Sequence, residues 1–223
     1  MRTTSAKGSA RRGQSRRVLI GALAMGVASI ASVGRAGVIT VFDNYKPNFG
    51  TATFSGQVIN PLGPQRDRDF ANAFVPSASG IVTELWATVT MVSGVNQVDL
   101  WLMSDSNGAP DRVLEGWHLV NQMGLRGGLN PPLHVVGDGS TFIEAGEMYW
   151  LVSSAPLPTV AQWMHNGIND HGPVMYRENN GSWNASSNDL RGAFRVDVPE
   201  PATLVMLLAG AGMILRRRVR RTA

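Results

Sequence analysis

The sequence predicts an all-β protein whose body is a single, jelly-roll-like β-sandwich. Short runs of alternating or β-branched residues recur between turn signals, and helical periodicity is weak. Glycine accounts for 25 of the 223 residues and marks many of the turns. About nine or ten short strands at this spacing are typical of a sandwich or a jelly roll. We expect the body to span residues 37–197, between an N-terminal signal peptide and a short C-terminal membrane helix.

The predicted strands alternate with clusters of turn residues. In chain order they are Val38–Phe42, Asp69–Val75, Ile81–Val92, Val95–Ser104, Val113–Val120, Leu133–Val136, Glu147–Ser153, Gln162–Met164, Val174–Arg177 and Ala193–Val198. In the segment Ile81–Val92, alternate residues are expected to share one side. Ser93-Gly94 predicts a hairpin to the next strand, and Asp105–Asp111, "DSNGAPD", predicts a turn after it.

Residues 1–36 have the layout of an export signal. A basic segment precedes the apolar run Val18–Val33, and Gly34-Arg35-Ala36 follows it, so signal peptidase is expected to cut after Ala36. A retained membrane helix is disfavoured, because the run is shorter than the ~20 apolar residues that span a bilayer. The stretch Ser15–Gly21, "SRRVLIG", is similar to a twin-arginine signal. The twin-arginine and general secretory routes both stay open.

The segment 198–223 combines three parts in a fixed order. Val198, Pro199, Glu200 and Pro201 come first, the uncharged run 202–215 follows, and a cluster of basic residues ends it. The cluster contains Arg216, Arg217, Arg218, Arg220 and Arg221. As a helix the uncharged run would be ~21 Å long, short of a ~30 Å hydrocarbon core. The arginines predict a cytoplasmic C-terminus, and so a membrane-held precursor.

This tail resembles the PEP-CTERM sorting signal of Gram-negative bacteria. The resemblance implies recognition by an exosortase, a membrane-embedded transpeptidase-like enzyme that is thought to cut near the Pro-Glu-Pro. It further implies an inner-membrane precursor that is released or transferred to the cell surface or exopolysaccharide matrix. The alternative is a plain C-terminal anchor with an incidental Pro-Glu-Pro.

The charge of the body argues against a nucleic-acid partner. Twelve of the 20 basic residues lie in 1–36 and 216–221, so residues 37–198 carry eight basic and fifteen acidic residues. Nucleic-acid binding needs a basic patch, whereas this body has a net charge of about −7. The chain has no cysteine, so its core must hold without disulfides.

The body also resembles the secreted domains described as choice-of-anchor domains. The residues that carry the resemblance include "SGIVTELWATVTM", "VDLWLMSDSNGAPDRVLEGW" and "IEAGEMYWLVSSA". Pro110-Asp111 stands where Pro-Gly is usual. Such domains resemble β-sandwich binding modules and imply no catalytic residues.

Catalytic and metal motifs are weak. No Gly-x-Ser-x-Gly elbow is present, and Ser140 fits a turn. His165, Asp170 and His171 match no established metal-ligand spacing, and Asp105–Gly108 lacks the further ligands of a calcium loop. We therefore expect no metal, no cofactor and no catalytic residues. The alternative is a secreted hydrolase of matrix polysaccharide that uses loop groups, such as Glu144 with Glu147.

Sugar binding is the more specific expectation. Trp163, Tyr176 and Trp183 lie among polar residues in the final third of the body, and aromatic faces beside polar groups suit saccharides. Packing at the sandwich edge is the competing interpretation, and Trp86, Trp101 and Trp150 are expected in or near the core. The sequence thus predicts a non-enzymatic surface or matrix protein that binds exopolysaccharide.

Overall fold

The computed structural model describes residues 37–47, 51–60, 67–128, 130–187 and 189–200, and within them every regular element is a β-strand. The strands are β1 (Val38–Asp43), β2 (Thr51–Ile59), β3 (Arg68–Phe74), β4 (Gly80–Ile81), β5 (Glu84–Ala87), β6 (Val89–Ser93), β7 (Gln97–Ser106), β8 (Ala109–Val120), β9 (Leu133–Val136), β10 (Phe142–Ile143), β11 (Tyr149–Ser154), β12 (Val160–Asn166), β13 (Val174–Glu178), β14 (Asn184–Ala185) and β15 (Phe194–Pro199). The all-β prediction is confirmed. The predicted signal peptide, 1–36, and membrane helix, 202–215, lie outside these residues. In the described part, no helix has the length and hydropathy to cross a membrane.

Within the described ranges the strands form four open sheets. The largest has six strands in the order β14-β13-β3-β11-β7-β8, and a second has the order β1-β15-β5-β9. A three-stranded sheet, β2-β12-β6, and a two-stranded sheet, β10-β4, complete them. All strand pairs are antiparallel, so short turns can join them.

One apolar core joins the sheets. The six-stranded sheet contributes Phe74 and Leu100, the four-stranded sheet Leu85 and Phe194, and the three-stranded sheet Trp163, all at most 1% exposed. Phe74 meets Phe194 edge-on, with ring centroids 5.6 Å apart, which is a favoured geometry for aromatic pairs. A core shared by several open sheets is compatible with the predicted sandwich.

The predicted strand Ile81–Val92 is wrong as a single element. It is divided into β4, β5 and β6, which lie in three different sheets. The chain changes sheets at Thr88, whose N–H donates to the carbonyl of Ala193 at 3.1 Å and whose carbonyl accepts from Met164 N–H at 2.9 Å. Leu85, Ala87 and Val89 stay buried across this junction, so alternation persists although the strand pairing does not.

The turn predictions have opposite outcomes. Ser93-Gly94 does not form the expected hairpin, since β6 pairs with β12 while β7 pairs with β8 and β11. Gly94 has a φ of 89° and passes against the backbone of Pro158, which no other residue could do without strain. The turn after β7 is confirmed: Asn107 and Gly108 have φ of 55° and 80°, as a two-residue type I′ hairpin needs.

The strand β2 was not predicted. Gly56 lies inside it, and a Cβ there would come 2.3 Å from the carbonyl oxygen of Trp163 on β12. Glycine lowers the strand propensity of a segment and often marks such a close backbone approach. The remaining predicted strands each correspond to an observed one.

Candidate functional site

The final strand brings the Pro-Glu-Pro segment into the body. Val198 is fully buried in the core, and Pro199 is the last residue of β15. Register pairs Ile39 with Val198 and Val38 with Pro199. The predicted domain boundary at residue 197 therefore falls inside a strand. Pro201 and the arginines 216–218 lie outside the described residues.

The two ends of the body meet at this edge. The N–H of Glu200 donates to the carbonyl of Gly37 at 2.7 Å. A Cβ on Gly37 would come 2.4–2.6 Å from the carboxyl atoms of Glu200, so this carboxylate lies directly over the Gly37 backbone. Gly37 is the residue that follows the predicted signal-peptidase cut after Ala36, which itself lies outside the described residues.

A second cluster covers the outer face of the six-stranded sheet. Trp101, Met175 and Trp183 pack there on smaller buried residues such as Ala71 and Val152. These residues face away from the main core, because alternate residues of each strand point to opposite sides. We call the residues Trp101, Met175, Arg177 and Trp183 the tryptophan face.

Arg177 is the centre of the tryptophan face. Its guanidinium carbon lies 4.8 Å from the ring centroid of Trp183 and 5.7 Å from that of Trp101, within the range of cation–π attraction. Its Nε donates to Oδ2 of Asp69 at 2.7 Å. The other oxygen of that buried carboxylate has no hydrogen-bond partner. The arrangement places two partly buried indoles beside a fixed cation.

The neighbouring strand β8 has no side chain that covers the tryptophan face opposite Trp101. Gly116 lies opposite Trp101 on β8, and a Cβ there would come 2.9 Å from Cδ1 of the indole. The missing side chain lets the indole lie over the neighbouring strand. Two residues before Trp101 on the same side of β7, Asp99 pairs with His118, at 2.6 Å between Oδ1 and Nδ1. Polar groups therefore border the indole.

The three residues predicted to bind sugar do not share a surface. Trp163 is fully buried and its indole N–H donates to the carbonyl of Ala193 at 3.1 Å. Its ring cannot stack on a sugar, so its assignment is wrong. Tyr176 packs against the main core beside Phe70, with ring centroids 6.3 Å apart, on the other side of β13 from the tryptophan face. Trp183 alone lies on that face.

Sequence reasoning missed the partners of Trp183. Trp101 lies in the middle of a well-predicted strand, and this position favours a core assignment. The available signal was the strand period, because Trp101 alternates with Leu100 and Leu102, which are fully buried in the main core. A large aromatic residue out of phase with the core marks the other face of the sheet.

Among the described residues, the His and Asp side chains of β12 and the loop that follows it do not form a metal site. His165 bonds through Nδ1 to the Ser55 hydroxyl at 2.9 Å, His171 to Asp189 at 2.7 Å, and Asp170 to Arg191 at 3.2 Å. Burial lowers the pKa of His165, which favours its neutral form. Among the described residues no three His, Cys, Asp or Glu side chains could share a metal ion.

The other loop candidates have local structural partners. Asp105 accepts from Gly108 N–H at 3.1 Å and from the Trp150 indole at 2.7 Å, which confirms the turn. Asp138 accepts from both Ser140 groups at 2.7 Å, and these bonds lower the Asp138 pKa.

The proposed carboxylate pair of the hydrolase alternative lies on a surface turn. Glu144 and Glu147 are both exposed, and the N–H of Glu147 donates to the carbonyl of Glu144 at 3.3 Å. The N–H of Glu144 donates to the Tyr149 hydroxyl at 3.0 Å. The pair therefore terminates a turn before β11.

A family model, the PEP-CTERM protein-sorting motif, matches residues 197–221. The match starts on the buried end of β15 and runs through the uncharged segment into the arginines, which confirms the predicted sorting signal. The motif implies export, recognition by an exosortase and sorting to the cell surface. A search of curated proteins finds no significant match to the chain.

Proposed function

We propose that this chain is a non-enzymatic protein of the cell surface or exopolysaccharide matrix, which binds polysaccharide through its tryptophan face. Sorting rests on the motif at 197–221. In this proposal the body is a β-sandwich binding module of the choice-of-anchor kind. The precursor is held at the inner membrane by its tail until an exosortase processes it.

The observation that carries the binding proposal is the position of Arg177 between the indoles of Trp101 and Trp183. An indole offers a flat apolar surface to the C–H face of a pyranose ring, and a guanidinium donates hydrogen bonds to its hydroxyl and ring oxygens. Because Asp69 anchors Arg177, little side-chain entropy is lost when a sugar binds.

The net charge narrows the ligand class. The body has a net charge of about −7, and the guanidinium of Arg177 is already paired with Asp69. A polyanionic chain would be repelled by the body as a whole. We therefore propose a neutral polysaccharide.

The non-enzymatic part of the proposal rests on the loop groups. Glu144 and Glu147 lie on an exposed turn, and His171 and Asp170 each have separate partners. General acid–base catalysis needs groups that converge on one substrate atom. If the protein were a hydrolase of matrix polysaccharide, Glu144→Gln with Glu147→Gln, or Asp170→Asn with His171→Asn, would abolish the release of reducing ends.

The test is affinity electrophoresis in gels containing the host's neutral exopolysaccharide. The full chain should be retarded, and Trp183→Ala and Trp101→Ala should each weaken binding by about tenfold, the loss of roughly 1–2 kcal/mol of aromatic contact. The matched control is Trp86→Ala, because Trp86 also lies beside an arginine, Arg195, at 4.8 Å, but in the four-stranded sheet. Equal mobility of all proteins with and without polysaccharide would refute binding.

A further inference from the structure

The buried end of β15 constrains where the sorting enzyme can act. Val198 is fully buried. A Cβ added to Gly80 of β4 would lie only 2.8 Å from the Cβ of Val198. The side chain of Val198 is thus packed closely against another strand. Because burial of an apolar side chain stabilises the folded state, this strand end resists detachment.

The backbone next to it is also engaged. Asp197 accepts, through its carbonyl, from the N–H and the hydroxyl of Thr83 at 3.0 and 3.1 Å. Its carboxylate takes two hydrogen bonds from Arg195, at 2.8 and 2.7 Å. Beyond Asp197 the strand is paired with β1 alone, up to the bond from Glu200 N–H to Gly37 carbonyl.

Proteolytic and transpeptidase sites bind their substrates as extended segments of several residues, with the backbone free to pair with the enzyme. Val198 and Pro199 are already paired with β1, and the N–H of Glu200 is bonded to the carbonyl of Gly37. To use them, an enzyme must first separate β15 from β1 and expose Val198, which is a local unfolding step. Such a step makes bonds before Glu200 poor substrates while the body is folded.

We propose that the processing cut falls on the C-terminal side of Glu200, so that Val198-Pro199-Glu200 remains in the mature protein as the end of its last strand. This rests on the exosortase sorting described above. In the cut the C–N bond of one peptide group breaks. The carbonyl carbon passes to water or to an acceptor amine, which loses a proton, and the tail leaves with a protonated amine.

The same geometry couples the two processing events. When signal peptidase cuts after Ala36, the new ammonium group belongs to Gly37, and the Glu200 carboxylate lies over that residue. The cation and the carboxylate attract each other at this range. Removal of the signal peptide therefore strengthens the closure of β1 on β15, and the glutamate of the motif becomes a partner of the mature N-terminus.

The test is intact-mass and terminal-peptide mass spectrometry of the full-length protein from its native host, for the surface and membrane fractions separately. A single C-terminus at residue 200 or later in the surface fraction would support the proposal. A C-terminus at residue 199 or earlier in that fraction would overturn it, while sorting would stand. An uncut tail in every fraction would overturn both.

A substitution at Val198 tests whether burial of the strand end, rather than recognition of the motif sequence, sets the position of the cut. Val198→Asp places a carboxylate in the core and should detach the end of β15, so upstream cuts should appear beside the normal one. The matched control is Val136→Asp, since Val136 ends a strand of the same sheet but is 65% exposed; it should keep the wild-type C-terminus.

A second measurement does not depend on the yield of the variant. Carboxypeptidase Y digestion of detergent-solubilised, uncut wild-type precursor should stop near Glu200, whereas digestion of the same precursor unfolded in urea, which keeps both prolines, should continue past Val198. Digestion of the folded precursor that continues past Val198 at an unchanged rate would show that the strand end is accessible, and would overturn the proposal.

Discussion

Arg177 and Asp69 form an ion pair between β13 and β3 in which the carboxylate side chain is only 3% exposed. Removal of one member of a buried pair leaves the other charge without compensation. We therefore predict that Arg177→Met lowers the free energy of unfolding by about 3 kcal/mol. Urea denaturation followed by tryptophan fluorescence measures this change.

The control for that pair is the double variant Arg177→Met with Asp69→Asn. It removes both charges, so it should be more stable than Arg177→Met alone. If the double variant were as unstable as the single one, packing of the arginine stem on the indoles, rather than the buried charge, would explain the loss.

Among the asparagines in turns, we expect substitution of Asn60 to lower the free energy of unfolding most. It is fully buried with a φ of 54°, and its amide donates to the carbonyls of Ala155 and Thr159 at 2.6 and 3.0 Å. Its carbonyl oxygen accepts from Arg68 N–H at 2.7 Å. Asn60→Gly keeps the backbone conformation but loses three bonds, so we expect about 3 kcal/mol of destabilisation by urea denaturation.

The control for Asn60 is Asn121→Gly. Asn121 also has a positive φ, 58°, but is exposed, so glycine there should cost only a few tenths of a kcal/mol. Similar losses at both positions would contradict the role assigned to the buried amide.

His165 should make the fold less stable in mild acid. Burial lowers its pKa in the folded state, so below the unfolded pKa of about 6.5 the unfolded chain binds the extra proton. The stabilisation from this neutral group is complete above about pH 6.5 and is lost as the pH falls. His165→Asn, which can keep the bond to Ser55, should show a weaker pH dependence of the urea midpoint between about pH 7.5 and 5.5. Identical pH profiles for the two proteins would contradict this prediction.

Gly116 should control the position of Trp101. Gly116→Val places atoms where the indole lies, since even a Cβ would come 2.9 Å from Cδ1. The indole should move toward solvent, with a red shift of its emission and about a tenfold loss of polysaccharide retardation, as in Trp101→Ala. Val120→Ala, at an exposed position of the same strand, is the control and should leave both properties unchanged.

Local patterns predicted the strands well because runs of alternating or β-branched residues lie between turn signals. Val174–Glu178 and Phe194–Pro199 were located to within one or two residues in this way. The same pattern failed at Thr88, where one alternating run serves two sheets. Alternation reports which side is buried, whereas the pairing partner is set by segments far away in sequence.

The candidate sites likewise differ in whether local sequence could predict them. The sorting motif is contiguous, so its order of parts could be recognised directly and the family match confirms it. The tryptophan face joins Trp101, Arg177 and Trp183 through the strand order β13-β3-β11-β7, which the sequence does not state. Trp163 was misassigned because a polar neighbourhood along the chain does not reveal burial in space.

The hydrogen bond between Glu200 and Gly37 holds the two ends of the body next to each other. Domains with adjacent ends tolerate circular permutation. A short glycine linker from residue 200 to residue 37, with new ends opened at the exposed turn Asn107-Gly108, would leave every sheet in its present order. In such a rearranged chain β15 would lead through the linker directly into β1, so the pairing of two strands from opposite ends of the body would become a local hairpin.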